Sequence, residues 1–416
     1  RFSNQVLGCG QGFVEGRPFE RQLVAHHTRA PSFLGFLGVE APTSTDMHLY
    51  PSQEAIANWI QEHPNQTLPD LSRPRQFPLH RKPVLASIRY QDILRECHDL
   101  PCYATLAESY RWLYDPQKYE SLTKHPTASA LPTESKVRPH NSDIEAWIED
   151  GKVTKFEGTP RSFVHVFSVI EMEKIRRRGI CEPYINMLIT RAHLAGIKLP
   201  TRKIVRNMLF GRKKATPIDA AAFYDQFALH ENVRPFFVFE YLGEHYSFAV
   251  LPMGFRPAAD IAQLTAMAVL DISRQTDAAA YIDNFIFTGP KQEEDVTRFL
   301  AACKRFELHI NEAKEWKWSP DLSKSSFNFI GEAYDLDAQQ KTSTAKTMEK
   351  LKRAGEILDS YDSNLSATMV ASVFGILIYA SPSHDISLAT KFRTTTDWSA
   401  PALPQCCGAT GRLPVA

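Results

Sequence analysis

Between residues 142 and 380 the spacing of apolar positions switches repeatedly between a helical and a strand period, and each switch predicts an element. Residues 143–150 read as a short helix. Ile144, Trp147 and Ile148 share one face, Ser142 with Glu145 makes a capping box, and Gly151 supplies the stop. Apolar runs at 163–170 and 236–250 read as strands, and 257–272 and 293–308 as helices. Tyr, Ile and Phe flank an acidic Asp-Asn step at 281–287, which predicts a β-hairpin lifting a carboxylate out of a buried sheet. A strand pair follows at 327–334, then antiparallel helices at 345–361 and 366–380.

The pattern weakens toward both ends. Helical pieces are expected at 52–63 and at 90–114, the latter broken at Pro101. The Pro- and Arg-rich stretch 68–83 reads as loop, and 121–141 as linker. The division that follows is an N-terminal region over 1–141, ordered units over 142–215, 216–340 and 341–395, and a tail over 396–416.

Composition narrows the class. Hydrophobic residues make up 43% and charged residues 23% of the chain, as in ordinary globular proteins. No apolar run approaches the ~18 residues of a membrane span, so no membrane partner is expected. Seven scattered cysteines predict reduced thiols and an intracellular setting, in cytoplasm or nucleus. Cys97, His98 and Cys102 are the only compact Cys/His group and fall short of the two close ligand pairs usual for structural zinc. The start at Arg1, without Met or an apolar leader, reads as a piece of a longer polyprotein. The net charge is +1, but residues 151–214 hold fifteen Lys/Arg against four Glu, a local +11. A charge run is usually a solvated face; this one precedes the acidic positions and includes Arg176-Arg177-Arg178, which favours contact with phosphates.

The candidate chemistry is a pair of carboxylates. Asp219 ends a short apolar approach and is followed by three alanines, leaving room for a bulky ligand. Asp283 sits at the hairpin. Two such groups on neighbouring strands suit a two-metal phosphoryl-transfer site, and Mg²⁺ takes carboxylate oxygens, substrate phosphates and water. Between them, Leu251-Pro252-Met253-Gly254-Phe255-Arg256 leads into a helix, so the backbone at Gly254 can come close to a ligand. A Gly-x-Ser-x-Gly elbow and a P-loop are both missing, and Gly8-Cys9-Gly10 lacks a third glycine.

The order of these motifs resembles that of retroelement reverse transcriptases. Asp219 with Tyr224 and Gln226 looks like their first catalytic motif, and 251–263 is similar to their Leu-Pro-x-Gly-Phe…Gln segment. Tyr281-Ile282-Asp283-Asn284 looks like their Tyr-x-Asp-Asp hairpin, Asn311…Lys314 like their Asn-x-x-Lys, and Phe329-Ile330-Gly331 like their primer grip. Val166-Phe167-Ser168-Val169 and Arg178…Asn186 look like fingers motifs. The DIRS/VIPER tyrosine-recombinase group is the most similar and gypsy-type LTR elements come second.

The resemblance implies an α+β right-hand polymerase. Fingers would span 142–215, the palm 216–340 with an antiparallel sheet packed on helices, and thumb-like helices 341–395. It implies an RNA-directed DNA polymerase taking an RNA template, a DNA primer and dNTPs, with two Mg²⁺ ions, or Mn²⁺, on Asp219 and Asp283. Arg178 would hold the triphosphate, Tyr224 would exclude a ribose 2′-hydroxyl, Gln263 would lie along the nucleotide–template pair, and Lys314 would protonate pyrophosphate. The bland readings stand beside these: a core Tyr, a helix-surface Gln and a solvated Lys. Three departures matter. Asn284 replaces an aspartate, Glu171-Met172-Glu173 stands where many relatives have a Lys, and no acidic cluster after Trp398 announces RNase H. The rival reading is therefore a decayed reverse-transcriptase-like protein that binds nucleic acid without catalysis.

Overall fold

The computed structural model describes residues 85–124, 129, 131–135, 137–138, 141–171, 176–313, 315–359 and 367–384. The expected helix at 52–63, the loop at 68–83, Lys314 and the tail lie outside these residues.

In chain order the elements are α1 (Tyr90–Glu96), α2 (Tyr103–Tyr114), α3 (Pro116–Thr123), β1 (Val137–Arg138), α4 (Asn141–Glu149), β2 (Val153–Lys155), β3 (Val164–Glu171), β4 (Arg176–Pro183) and α5 (Arg202–Leu209). There follow β5 (Thr216–Asp219), β6 (Val238–Tyr241), β7 (Glu244–Phe248), α6 (Ala258–Ile272), β8 (Ala278–Tyr281), β9 (Asn284–Phe287) and α7 (Gln292–Arg305). The last are β10 (Ser326–Phe329), β11 (Glu332–Asp335), β12 (Gln340–Ser343), α8 (Ala345–Asp359) and α9 (Ala367–Ala380). This is a mixed fold of helices and largely antiparallel three-stranded sheets, ordered β1-β3-β4, β2-β7-β6, β5-β9-β8 and β10-β11-β12.

Local sequence explains most of the boundaries. At Gly151 (φ 75°) the Gly151 N–H reaches Ile148 O at 3.0 Å and the Lys152 N–H reaches Trp147 O at 2.9 Å, a glycine-terminated helix end. The capping box at Ser142 is corrected: α4 begins at Asn141, two residues before the expected start, so Ser142 lies within its first turn. The single strand expected over 236–250 is also corrected. Leu242 (φ 53°) and Gly243 (φ 78°) reverse the chain between β6 and β7, as a two-residue hairpin turn requires.

The core under the β5-β9-β8 sheet is aromatic. Phe285 and Phe287 of β9 pack on Phe299 of α7, with ring centroids 4.7 and 4.9 Å apart. Such pairs contribute about 1 kcal/mol beyond burial. The upstream helices share this core rather than forming a separate one. Tyr110 of α2 bonds Thr265 of α6 at 2.9 Å, and the Trp112 ring meets both Tyr119 of α3 and Phe255 edge-on. A smaller apolar cluster of Val205, Leu209, Ile286, Phe329 and Tyr334 ties α5 to the β10–β11 hairpin.

Candidate active site

Asp219 is the last residue of β5 and stands opposite Asn284, the first residue of β9. The next step of the ladder carries the Ala220 N–H to Asp283 O at 2.7 Å. Asp219 and Asp283 thus belong to adjacent strand ends joined by backbone hydrogen bonds. The turn between β8 and β9 is Ile282-Asp283, not Asp-Asn, and Ile282 takes the positive φ of 58°. A β-branched residue there is strained, which the surrounding structure must hold.

Gln263 does the holding. It lies in α6, is 1% exposed, donates to Ala280 O at 2.9 Å and accepts from the Ile282 N–H at 2.6 Å. This corrects the helix-surface reading of Gln263: its amide braces the β8–β9 hairpin from beneath.

Each carboxylate is oriented by a neutral amide. Asn311 Nδ2 donates to Asp219 Oδ2, and the Asn311 N–H donates to Asp219 O at 2.9 Å. Asn284 Nδ2 donates to Asp283 Oδ1 at 2.7 Å. Glu312, which the sequence reading did not single out, accepts the Asp219 N–H at 2.9 Å. With Asp219, Asn284, Lys324 and Asn328 it lines a groove of about 230 Å³. The only hint of Glu312 in the sequence is its place inside the Asn311…Lys314 motif.

Tyr224 follows the left-handed residue Ala222 (φ 45°) on a short 3-10 turn, Phe223–Gln226. It is half-buried, and burial, with the carboxylate of Asp283 and the phenol of Tyr281 nearby, pushes its hydroxyl up to about 12. Buried Gln226 fixes that turn, donating to Ala221 O at 2.6 Å and accepting the His309 N–H at 2.8 Å.

Gly254 makes its close approach to protein. A Cβ there would sit 1.9 Å from Cys181 O in β4. Asn186 locks the loop further, donating from Nδ2 to Gly254 O and accepting the Arg256 N–H, both at 2.8 Å. Arg178 lies in β4 opposite Val169, half-buried, and is not one of the residues lining the groove. Its neighbour Arg177 points to the other face, where it pairs with Asp143, 0% exposed, which also accepts from Ser168 at 2.8 Å. Cys97 is buried, and burial with the neighbouring Cys102 pushes its thiol up to about 11, the behaviour of an inert core cysteine.

Among the described residues no group of three or more His, Cys, Asp or Glu gathers to hold an ion. Two aspartates with hard oxygen donors still fit Mg²⁺, which takes one or two carboxylates and completes its shell with phosphates and water. No described helix is long and apolar enough to cross a membrane.

No protein-family model matches the sequence, and no curated protein matches it. Among solved structures the chain is similar to the foamy viral protease-reverse transcriptase. With double-stranded DNA, in the form designated dRH, that protein shows 14% identity and a TM-score of 0.47 over 74% of this chain and 55% of its own. With an RNA/DNA hybrid the values are 15% and 0.40 over 72% and 42%. A second double-stranded DNA complex gives 14% and 0.43 over 73% and 64%. The chain spans less than two thirds of the length of each.

Proposed function

We propose that the protein is an RNA-directed DNA polymerase of a retroelement, of the DIRS/VIPER kind, extending a DNA primer on an RNA template with dNTPs. The observation that carries this reading is the placement of Asp219 and Asp283 on adjacent strand ends, joined through the Ala220–Asp283 backbone bond with Tyr224 alongside. Asp219 and Asp283 would hold Mg²⁺ or Mn²⁺, which supplies charge stabilisation to the attacking and leaving oxygens of an in-line displacement. Asn311 orients the Asp219 carboxylate, and Gln263 fixes the strained turn that presents Asp283. Tyr224 crowds the position of a ribose 2′-hydroxyl. Arg178 binds the triphosphate by charge-assisted hydrogen bonds, and Lys314 gives a proton to the departing pyrophosphate.

The test is extension of a DNA primer on an RNA template with Mg²⁺ or Mn²⁺. Incorporation is expected with at least one metal, and Asp283→Ala abolishes it. One observation favours the non-catalytic reading: Asn284 gives Asp283 an amide where the motif otherwise has a second carboxylate. Binding of primer–template without incorporation under either metal would establish that reading instead.

A further inference from the structure

Between Glu182 and Asp219 the chain holds eight Lys/Arg and no Asp or Glu. The structure sorts these charges. Arg202 and Arg206, with Val205 and Leu209, make the inner stripe of α5: Arg202 bonds Ile330 O at 3.2 Å, and Arg206 pairs with Glu332. The helical period then puts Lys203, Ile204 and Asn207 on the opposite stripe, which is exposed. Phe210 ends that stripe with 85% of its surface in solvent. The chain continues into Arg212, Lys213 and Lys214 through Gly211 (φ 73°). That turn is fixed: the Gly211 N–H donates to Gln339 Oε1 at 3.0 Å, and Gln339 Nε2 donates to Arg212 O at 2.7 Å.

This surface is joined to the candidate active site. Ala215, next to Lys214, exchanges two backbone hydrogen bonds with Lys324, at 2.9 and 2.8 Å. Lys324 lines the same groove as Asp219.

We propose that the outer face of α5 and the 210–214 turn form an accessory track for single-stranded nucleic acid, running from the Asp219 groove over Lys324 to Phe210. Cations without intervening acids neutralise a phosphate backbone. An exposed aromatic ring offers a stacking platform for bases of any sequence, and an unpaired strand has base faces to give it. A second copy of the chain is a poor occupant, because a two-fold contact would set this basic surface against itself. The segment 385–416 is a poor one too, since its three basic residues against two acidic ones bring no complementary charge. The track does not depend on catalysis and stands or falls separately from it.

The test is binding of a fluorescent oligothymidylate by the full chain. Phe210→Ala, and separately Lys213→Glu with Lys214→Glu, are expected to weaken binding about tenfold each, the charge pair also flattening its salt dependence. Incorporation at saturating short primer–template stays unchanged in both. Asp283→Ala gives the converse, with incorporation lost and oligothymidylate binding kept, so failure of the track and failure of the polymerase reading are distinguishable. Photocrosslinking of a bromouridine-substituted strand to the unmutated protein should place the adduct at Phe210. Unchanged binding in both variants, or adducts confined elsewhere, overturns the proposal. So does intact binding with a Phe210→Ala shift in molecular mass, which assigns the face to a second copy, or with new proteolysis within 385–416, which assigns it to that segment.

Discussion

The consequential residue is Asn284, whose amide donates to Asp283 at 2.7 Å from the position opposite Asp219. Asn284→Asp replaces a donor by a negative charge beside both aspartates. Under the polymerase reading it raises Mg²⁺ affinity roughly tenfold, the lower end for groups that tune a metal site, and incorporation rises with it. Calorimetric Mg²⁺ titration together with single-nucleotide incorporation checks this; a fall in both would show that the site has adapted to asparagine. Gln263 makes a second prediction. Gln263→Ala takes the partner from the half-buried Ile282 N–H and from the buried Ala280 O, a cost of about 1–3 kcal/mol. The displaced Asp283 should lower kcat about 100-fold with little change in dNTP KM. Equal loss in both constants would mean general unfolding. The nearness of Asp219 and Asp283 was legible because an acidic strand end and an acidic hairpin each leave a pattern in the sequence. The role of Gln263 was not, because nothing in a one-dimensional pattern tells a buried amide bonded to a turn from an exposed one bonded to substrate. The contact at Gly254 was half legible: a glycine signals close approach, and only the fold shows that Cys181 comes that near.

Among the elements, α5 is held to the β10–β11 hairpin by a buried ion pair. The Glu332 side chain is 0% exposed and pairs with that of Arg206, 20% exposed, while Tyr334 donates to it at 2.7 Å. Burial alone would push the Glu332 carboxyl up; the bonds from Arg206 and Tyr334 outweigh it and hold the group below the usual glutamate range. A carboxyl depressed in the folded state stabilises fully above its unfolded value of about 4.3, and that contribution is lost as pH falls through the folded value. The melting temperature should therefore fall as pH drops below about 4. Glu332→Gln should cost about 3 kcal/mol at neutral pH by leaving Arg206 without its anion, and should flatten the acid limb. Thermal melts across pH check both, and an unchanged acid limb in the variant would remove Glu332 from the account. Helical and strand periods made most elements legible to within a few residues. The reversal at Leu242-Gly243 was missed because an apolar residue occupies a left-handed turn position normally taken by Asn, Asp or Gly.

At the scale of the molecule, the polar and Pro-rich character of residues 1–141 concealed how much of them belongs to the main core. The region reads as separate only because its apolar residues are sparse; within 90–123, Ile93, Leu106, Tyr110, Trp112, Leu113 and Tyr119 are buried. Trp112 is 2% exposed and touches Tyr119 and Phe255. Phe255 lies one residue from Gly254, whose backbone is pressed onto β4, so the packing runs from α2 through the Leu251–Arg256 loop into the β3–β4 hairpin. Removing α1–α3 would expose Phe236, Phe237 and Phe255, all buried against Tyr119. A chain beginning at residue 142 should therefore fail to unfold cooperatively and should bind a hydrophobic dye, whereas one beginning at 85 melts in a single transition. The point-mutant counterpart is Trp112→Ala, expected to cost about 3–5 kcal/mol by the cavity it leaves. Denaturant unfolding of these chains separates the alternatives: cooperative unfolding from residue 142 onward, with full stability, would show that the upstream helices are an appendage and not part of the fold.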